Sequence, residues 1–299
     1  FRSLDLAQLV AEGDRLAFST DSYVIDPLFF PGGNIGKLAI CGTANDVAVS
    51  GAIPRYLSCG FILEEGLPME TLKAVVTSMA ETARAAGIAI VTGDTKVVQR
   101  GAADKLFINT AGMGAIPANI HWGAQTLTAG DVLLVSGTLG DHGATILNLR
   151  EQLGLDGELV SDCAVLAPLI QTLRDIPGVK ALRDATRGGV NAVVHEFAAA
   201  CGCGIELSEA ALPVKPAVRG VCELLGLDAL NFANEGKLVI AVERNAAEQV
   251  LAALHSHPLG KDAALIGEVV ERKGVRLAGL YGVKRTLDLP HAEPLPRIC

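Results

Sequence analysis

Positive charge is scarce where a nucleic-acid binder needs it. The 299-residue chain has 25 lysines and arginines against 33 aspartates and glutamates, a formal net charge of −8, and it carries no polybasic block. Clustered cations are what hold a phosphate backbone, so no nucleic-acid partner is expected. Long apolar runs are also missing. None approaches the roughly 18–20 uninterrupted residues that span a bilayer, so no membrane association is expected. Aromatic residues are only 4% of the chain, which leaves the cores to Ala, Val, Leu and Ile. Phe1–Leu6 lacks the basic–apolar–cleavage layout of a secretory signal. It also lacks an initiating Met, so the first domain is expected to be short of its first residues. The seven cysteines are an odd number in a long chain, which argues against a disulfide framework. Free, mostly buried thiols in a reducing cytoplasm are expected.

What is present is core material. Half of the residues are hydrophobic and 19% are charged, a balance that excludes disorder over most of the chain. The length suits two domains. Arg15–Thr20, Arg55–Leu63, Ile88–Val91 and Lys105–Gly114 read as strands, and Gly36–Ser50 as a helix. Met69, Leu72, Val75, Val76, Met79 and Ala83 recur at helical spacing, with Gly87 as terminator. Pro117–Gly123 marks a boundary. The alternation restarts at Asp131–Gly137, with helices expected at 143–153, 163–174, 189–201 and 245–256. Strands are expected at 204–207, 237–243, 264–270 and 274–280. The fold class is therefore α/β (mixed α+β), with two α/β domains, 1–120 and 124–285. Residues 286–299 contain Pro290, Pro294 and Pro296, which block helix and central strand. They are expected to form a flexible, extended tail of at most about 45–50 Å, ending in Cys299.

Three aspartates stand in similar settings. Asp21 and Asp94 follow strand-like segments, and Asp46 lies on a helix preceded by Gly32, Gly33 and Gly36. Carboxylates of this kind suit Mg²⁺, which usually accompanies nucleotide phosphates. Glycines let backbone N–H groups approach anionic oxygens. The same aspartates also suit turns and helix caps, and the pattern by itself leaves both readings open. No Walker-type Gly-x-x-x-x-Gly-Lys-Ser/Thr is present. Cys201-Gly202-Cys203 and His255-Ser256-His257 are isolated pairs without zinc-site spacing.

Five segments taken together carry a resemblance. They are Ser19-Thr20-Asp21-Ser22, Asn45-Asp46-Val47-Ala48, Thr92–Val98, Asp184-Ala185-Thr186-Arg187-Gly188-Gly189 and Asn234-Glu235-Gly236-Lys237-Leu238. Their order and spacing resemble the ATP-dependent enzymes related to aminoimidazole ribonucleotide synthetase. Gly93-Asp94-Thr95-Lys96 and the terminal Pro296-Arg297-Ile298-Cys299 are similar to the branch of carbamoyl dehydratases that serve hydrogenase maturation. The resemblance implies two α/β domains of that type, the first one dimerising to give a homodimer. It implies ATP and Mg²⁺ as cofactors. Asp21, Asn45, Asp46, Asp94, Thr95 and Arg187 would bind them, and Asp21, Asp46 and Asp94 would hold the metal.

The implied reaction begins with a carbamoyl group on the Cys299 sulfur. ATP phosphorylates its oxygen, phosphate leaves, and a thiocyanate remains. Such chemistry rests on positioning and electrostatics. Lys96 is the candidate for phosphate or carbamoyl oxygen contacts, Glu235 for the base, and Cys299 for the carrier. The resemblance further implies a carbamoyltransferase partner, and a scaffold complex that accepts the cyanide for the iron of a nickel–iron hydrogenase. Two other readings fit the residues. One is a kinase or cyclo-ligase of the same superfamily acting on a free small molecule. The other is a non-enzymatic carrier or scaffold. His142 reads as a structural hydrogen-bonder.

Overall fold

The structure is a computed structural model that describes residues 4–155, 157, 159–290 and 295–299. Part of the expected tail, 291–294, lies outside the described residues. The chain divides into two compact units. The first contains residues 1–120, Cys163–Ala167 and Arg297–Cys299, and the second contains His121–Asp162 and Pro168–Pro296.

In the first unit the strands are β1 (Arg15–Tyr23), the short pair β2 (Phe29–Phe30) and β3 (Gly33–Asn34), β4 (Ile53–Glu64), β5 (Ala89–Val98) and β6 (Leu106–Ile116). The sheet order is β1-β6-β4-β5. β6 is antiparallel to both neighbours, and β5 runs parallel to β4. The helices are α1 (Leu6–Glu12), α2 (Ile35–Val49) and α3 (Met69–Ala85). α2 starts where the Asn34 side chain accepts from the N–H groups of Gly36 and Lys37, at 2.9 and 3.1 Å. That satisfies two of the donors a helix start leaves over. Nearly all of α2 is buried, because its small residues admit close neighbours. A methyl on Gly36 would lie 2.4 Å from the Val75 carbonyl oxygen of α3, and one on Gly42 would lie 2.4 Å from the Tyr23 hydroxyl. α3 buries Val75, Met79 and Ala83, one stripe at four-residue spacing. Polar groups cross this core as a chain. Tyr23 Oη meets Thr43 Oγ1 at 3.1 Å, Thr43 meets Thr110 at 2.6 Å, and Thr110 donates to the Ala39 carbonyl.

The second unit is built on β7 (Val132–Val135), β8 (Val179–Asp184), β9 (Gly204–Ser208), β10 (Leu238–Val242), β11 (Ala264–Val270), β12 (Gly274–Ala278) and β13 (Lys284–Thr286). Their order is β13-β12-β9-β11-β7-β10-β8. Only the β9–β12 pair is parallel. The helices are α4 (Asp141–Glu151), α5 (Ala167–Gln171), α6 (Gly189–Cys201), α7 (Pro216–Leu225) and α8 (Ala247–His255). Val190, Val193, Val194 and Phe197 of α6 join Leu133, Val135, Val239, Ala241 and Ile266 in one core. β7 and β10 are buried throughout, as central strands covered on both sides should be.

The helix expected over 163–174 is much shorter. Pro168 disfavours helical backbone before it, and Ala164 and Leu166 are tied to Asn45 instead. At the chain end Leu295, Ile298 and Cys299 are buried.

Candidate active site

In the first unit the predicted residues fall on two faces of one sheet. Directly paired strand residues point the same way. Asp21 shares a row with Thr110, Cys59 and Gly93. Thr110 and Cys59 are buried, so Asp21 points to the helix-covered side. Its Oδ1 accepts from the N–H of Ser22 at 2.7 Å. Two residues back on the same side, Ser19 donates to Asp46 Oδ2 at 2.9 Å. Asp46 is thereby held beside Ser19, on the face of β1 to which Asp21 also points. Asp94 lies in the next row, with Gly60, Asn109 and Ser22. It is on the other face and the other edge of the sheet, three strand spacings or roughly 14 Å from β1.

Lys96 follows two residues along β5, with its ammonium 3.4 Å from Asp94 Oδ2. Both side chains are more than 70% exposed, so the pair adds little to stability. Asp94 and Thr95 border an open cleft of about 630 Å³ whose wall includes Phe61, Val76, Met79 and Ile90. Asn45 is buried. Its Nδ2 donates to the Ala164 carbonyl at 2.9 Å, and its Oδ1 accepts from Leu166 N–H at 2.7 Å.

Among the described residues no three His, Cys, Asp or Glu side chains are placed to hold a metal ion. The three aspartates of one chain are not a closed Mg²⁺ cage. Asp21 and Asp46 do fit the commoner arrangement, in which one or two carboxylates share the ion with nucleotide phosphates.

The chain end is held in the first unit. Val24 N–H donates to the Cys299 carbonyl at 2.9 Å, three residues beyond Asp21. Arg297 donates from Nε to the Val24 carbonyl at 2.8 Å and from Nη1 to Asp104 Oδ2 at 2.6 Å. Its guanidinium lies 5.9 Å from the Phe107 ring centroid, within cation–π range. Arg297 adopts a positive φ of 56°, which turns the last residues inward. Cys299 is only 7% exposed.

Glu235 belongs to the second unit, in a bend just before β10. It is 2% exposed. On one side, Asn234 donates to the carbonyls of Ala185 and Phe232 and accepts from Gly140 N–H. On the other, Asp162 accepts from the N–H groups of Glu235 and Gly236 at 3.0 and 3.2 Å, and from Lys237 Nζ at 3.1 Å. Burial alone would raise the Asp162 pKa. The Lys237 charge, then His142, then the Glu235 N–H outweigh it and hold the carboxyl below its ordinary value. His142 is fully buried and meets Ser161 at 2.8 Å through Nδ1, in keeping with the structural role expected of it. Arg187 is exposed. The Gly188-Gly189 pair after it opens α6 with positive φ angles of 76° and 60°, and a methyl on Gly189 would strike the Leu230 carbonyl at 2.4 Å.

Asp162 was not legible as a functional candidate. The available signal was Lys237, an ammonium just ahead of an all-apolar strand, which needs a buried counter-charge.

Two α/β units with these loops define a class. The N-terminal domain model of the AIR synthase related proteins matches residues 4–116, and the C-terminal domain model matches 128–279. Among curated proteins, the carbamoyl dehydratase HypE of Escherichia coli (strain K12) is 99% identical over 296 residues, covering 99% of this chain and 88% of that protein. That of Rhodobacter capsulatus is 50% identical, covering 98% and 87%. The crystal structure of E. coli HypE superposes with a TM-score of 0.98 at 98% identity, covering 99% of this chain and 92% of that one. A HypE solved in complex with ATP gives 0.94 at 46% identity, covering 99% and 89%. A HypE–HypF complex gives 0.90 at 48%, covering 92% and 90%. The chain belongs to the HypE family of carbamoyl dehydratases.

Proposed function

We propose that this chain uses ATP to convert an S-carbamoyl group on Cys299 into a thiocyanate, the source of the cyanide ligands of nickel–iron hydrogenase. The reaction consumes Cys–S–C(=O)–NH₂ and ATP and yields Cys–S–C≡N, ADP and phosphate. The carbamoyl oxygen attacks the γ-phosphorus, and the ADP oxygen leaves. Loss of two protons from nitrogen then expels that oxygen as phosphate. The observation that carries the reading is the seat of the terminal residue, whose carbonyl accepts from Val24 N–H, one residue past the strand that carries Asp21.

Each residue has a task in this scheme. Asp21 and Asp46, on the same side of the first unit's sheet with Asp46 bonded to Ser19, are suited to hold Mg²⁺ with the phosphates, the ion supplying charge neutralisation. Asp94 and Thr95, at the lip of an apolar cleft, contact the nucleotide, and Arg187 is assigned to its phosphates. Asn45 serves indirectly by fixing 163–167. Lys96 neutralises charge on the carbamoyl or phosphoryl oxygen, and Glu235 takes a proton from nitrogen. Arg297 holds the chain end through Val24 and Asp104, and those bonds open when the thiol is loaded. The HypE–HypF complex supports a HypF-like carbamoyltransferase as the loading partner. The cyanide acceptor is a HypC–HypD-like scaffold complex in the cytoplasm. No helix among the described residues is long and apolar enough to cross a membrane.

Isotope transfer tests the scheme. With ¹⁸O in the carbamoyl group, the label should appear in inorganic phosphate. Label recovered in water, with unlabelled phosphate, would rule out phosphorylation of the carbamoyl oxygen.

A further inference from the structure

A base acting on a tethered substrate is useful only if its own position is fixed. Glu235 sits in a bend between Asn234 and Gly236, with a glycine as its next residue. Glycine gives the backbone freedom. Asn234 anchors one side of the bend, and a residue distant in sequence anchors the other. One Asp162 oxygen takes the N–H of Glu235, and the other takes the N–H of Gly236 and the ammonium of Lys237. The Asp162 side chain is 4% exposed and that of Lys237 11%. Charge-assisted bonds in such surroundings are short of competing water and strong. Asp162 is itself flanked by Ser161, which is bonded to buried His142 on α4.

We infer that Asp162 is the positioning residue of Glu235: by clamping three consecutive residues, it fixes the point from which the glutamate side chain reaches the carbamoyl nitrogen. This rests on the reading of Glu235 as the base. Asp162 touches no reacting atom and acts through the N–H groups of Glu235 and Gly236 and the ammonium of Lys237. Its removal should slow dehydration and leave nucleotide binding alone.

The test is single-turnover dehydration of carbamoylated enzyme, with ATP affinity measured alongside. Asp162→Asn removes the charge but strands the Lys237 ammonium, so Asp162→Asn/Lys237→Met is made as well, to keep the interior neutral. Both should lower the dehydration rate by roughly 10²-fold, the loss that an ångström of misplacement causes, with the ATP dissociation constant unchanged. Placed on a Glu235→Gln background, Asp162→Asn should add nothing. A folded Asp162→Asn/Lys237→Met protein that dehydrates at the wild-type rate overturns the inference. So does an Asp162→Asn effect that adds in full to Glu235→Gln. Glu235→Gln running at the wild-type rate sinks the base assignment itself. That failure is recognisable because Asp162 is untouched in that variant.

Discussion

The thiols of this chain differ by their surroundings more than by their sequence context. Burial pushes Cys59 up to about 11, and burial, then Asp228, pushes Cys222 up to about 11. At pH 8 each is then a thiolate in only about one molecule in a thousand. Iodoacetamide at that pH should leave both unmodified in the folded protein, as peptide mass mapping would show. Asp162 titrates in the opposite sense. Its carboxyl is held low in the fold, so its contribution to stability is complete above the ordinary aspartate pKa of about 3.9. That contribution fades as pH falls through the lower folded value. The stability of the wild type relative to Asp162→Asn should shrink in urea titrations carried below about pH 4. Cys299 needs a different measurement, because what holds it is Arg297. Arg297→Ala removes the Asp104 ion pair and the bond to Val24. Alkylation of Cys299 should become several-fold faster, a change expected from loss of about 1 kcal/mol of charge-assisted bonding.

At the scale of elements, α2 is the piece on which the first unit closes. Its closeness to α3 depends on Gly36, whose missing side chain leaves room for the Val75 carbonyl. Gly36→Ala should therefore destabilise the protein by about 1–3 kcal/mol, the usual cost of overpacking. Urea unfolding would measure it, and no change would mean that the helices separate freely. Elements with strong periodicity were legible in the sequence. The stretch 189–201 forms a helix and 264–270 a strand at the expected limits. α7 and β8 were missed. α7 is short and starts at Pro216, and β8 carries Lys180 and Arg183 among its apolar residues. The site was half legible. Asp94 and Lys96 are two residues apart on one strand, so their pairing follows from strand geometry. The clamp from Asp162 to Glu235 spans 73 residues, and the hold of Val24 on Arg297 spans 273. Contacts at such separations leave no local pattern. For that reason the prolines of the tail suggested an extended end and gave no sign that Leu295, Ile298 and Cys299 are buried.

At the scale of the whole molecule, the first unit's sheet presents an apolar strip on its open face. Leu16 and Phe18 of β1 are 55% and 67% exposed, and Ile62 of β4 is 44% exposed. An apolar strip on a sheet invites a second copy, and a twofold pairing uses the same surface on both chains. Asp94 and Lys96 lie on this same face, so dimerisation would bring the nucleotide residues of one chain to the seam. Phe18→Glu should shift the protein from dimer to monomer in sedimentation velocity and weaken ATP binding with it. A dimer of unchanged strength would place the partner elsewhere. At this scale too belongs the proposed role of the last residue of the chain as carrier of the group that ATP dehydrates. Intact-mass spectrometry after incubation with the carbamoyl-donor system tests it directly. With a non-hydrolysable ATP analogue the wild type should stop at a single carbamoyl adduct on the C-terminal peptide. With ATP that adduct should lose the mass of one water. Cys299→Ala should gain neither adduct, and a carbamoyl or cyano adduct on that variant would contradict the account.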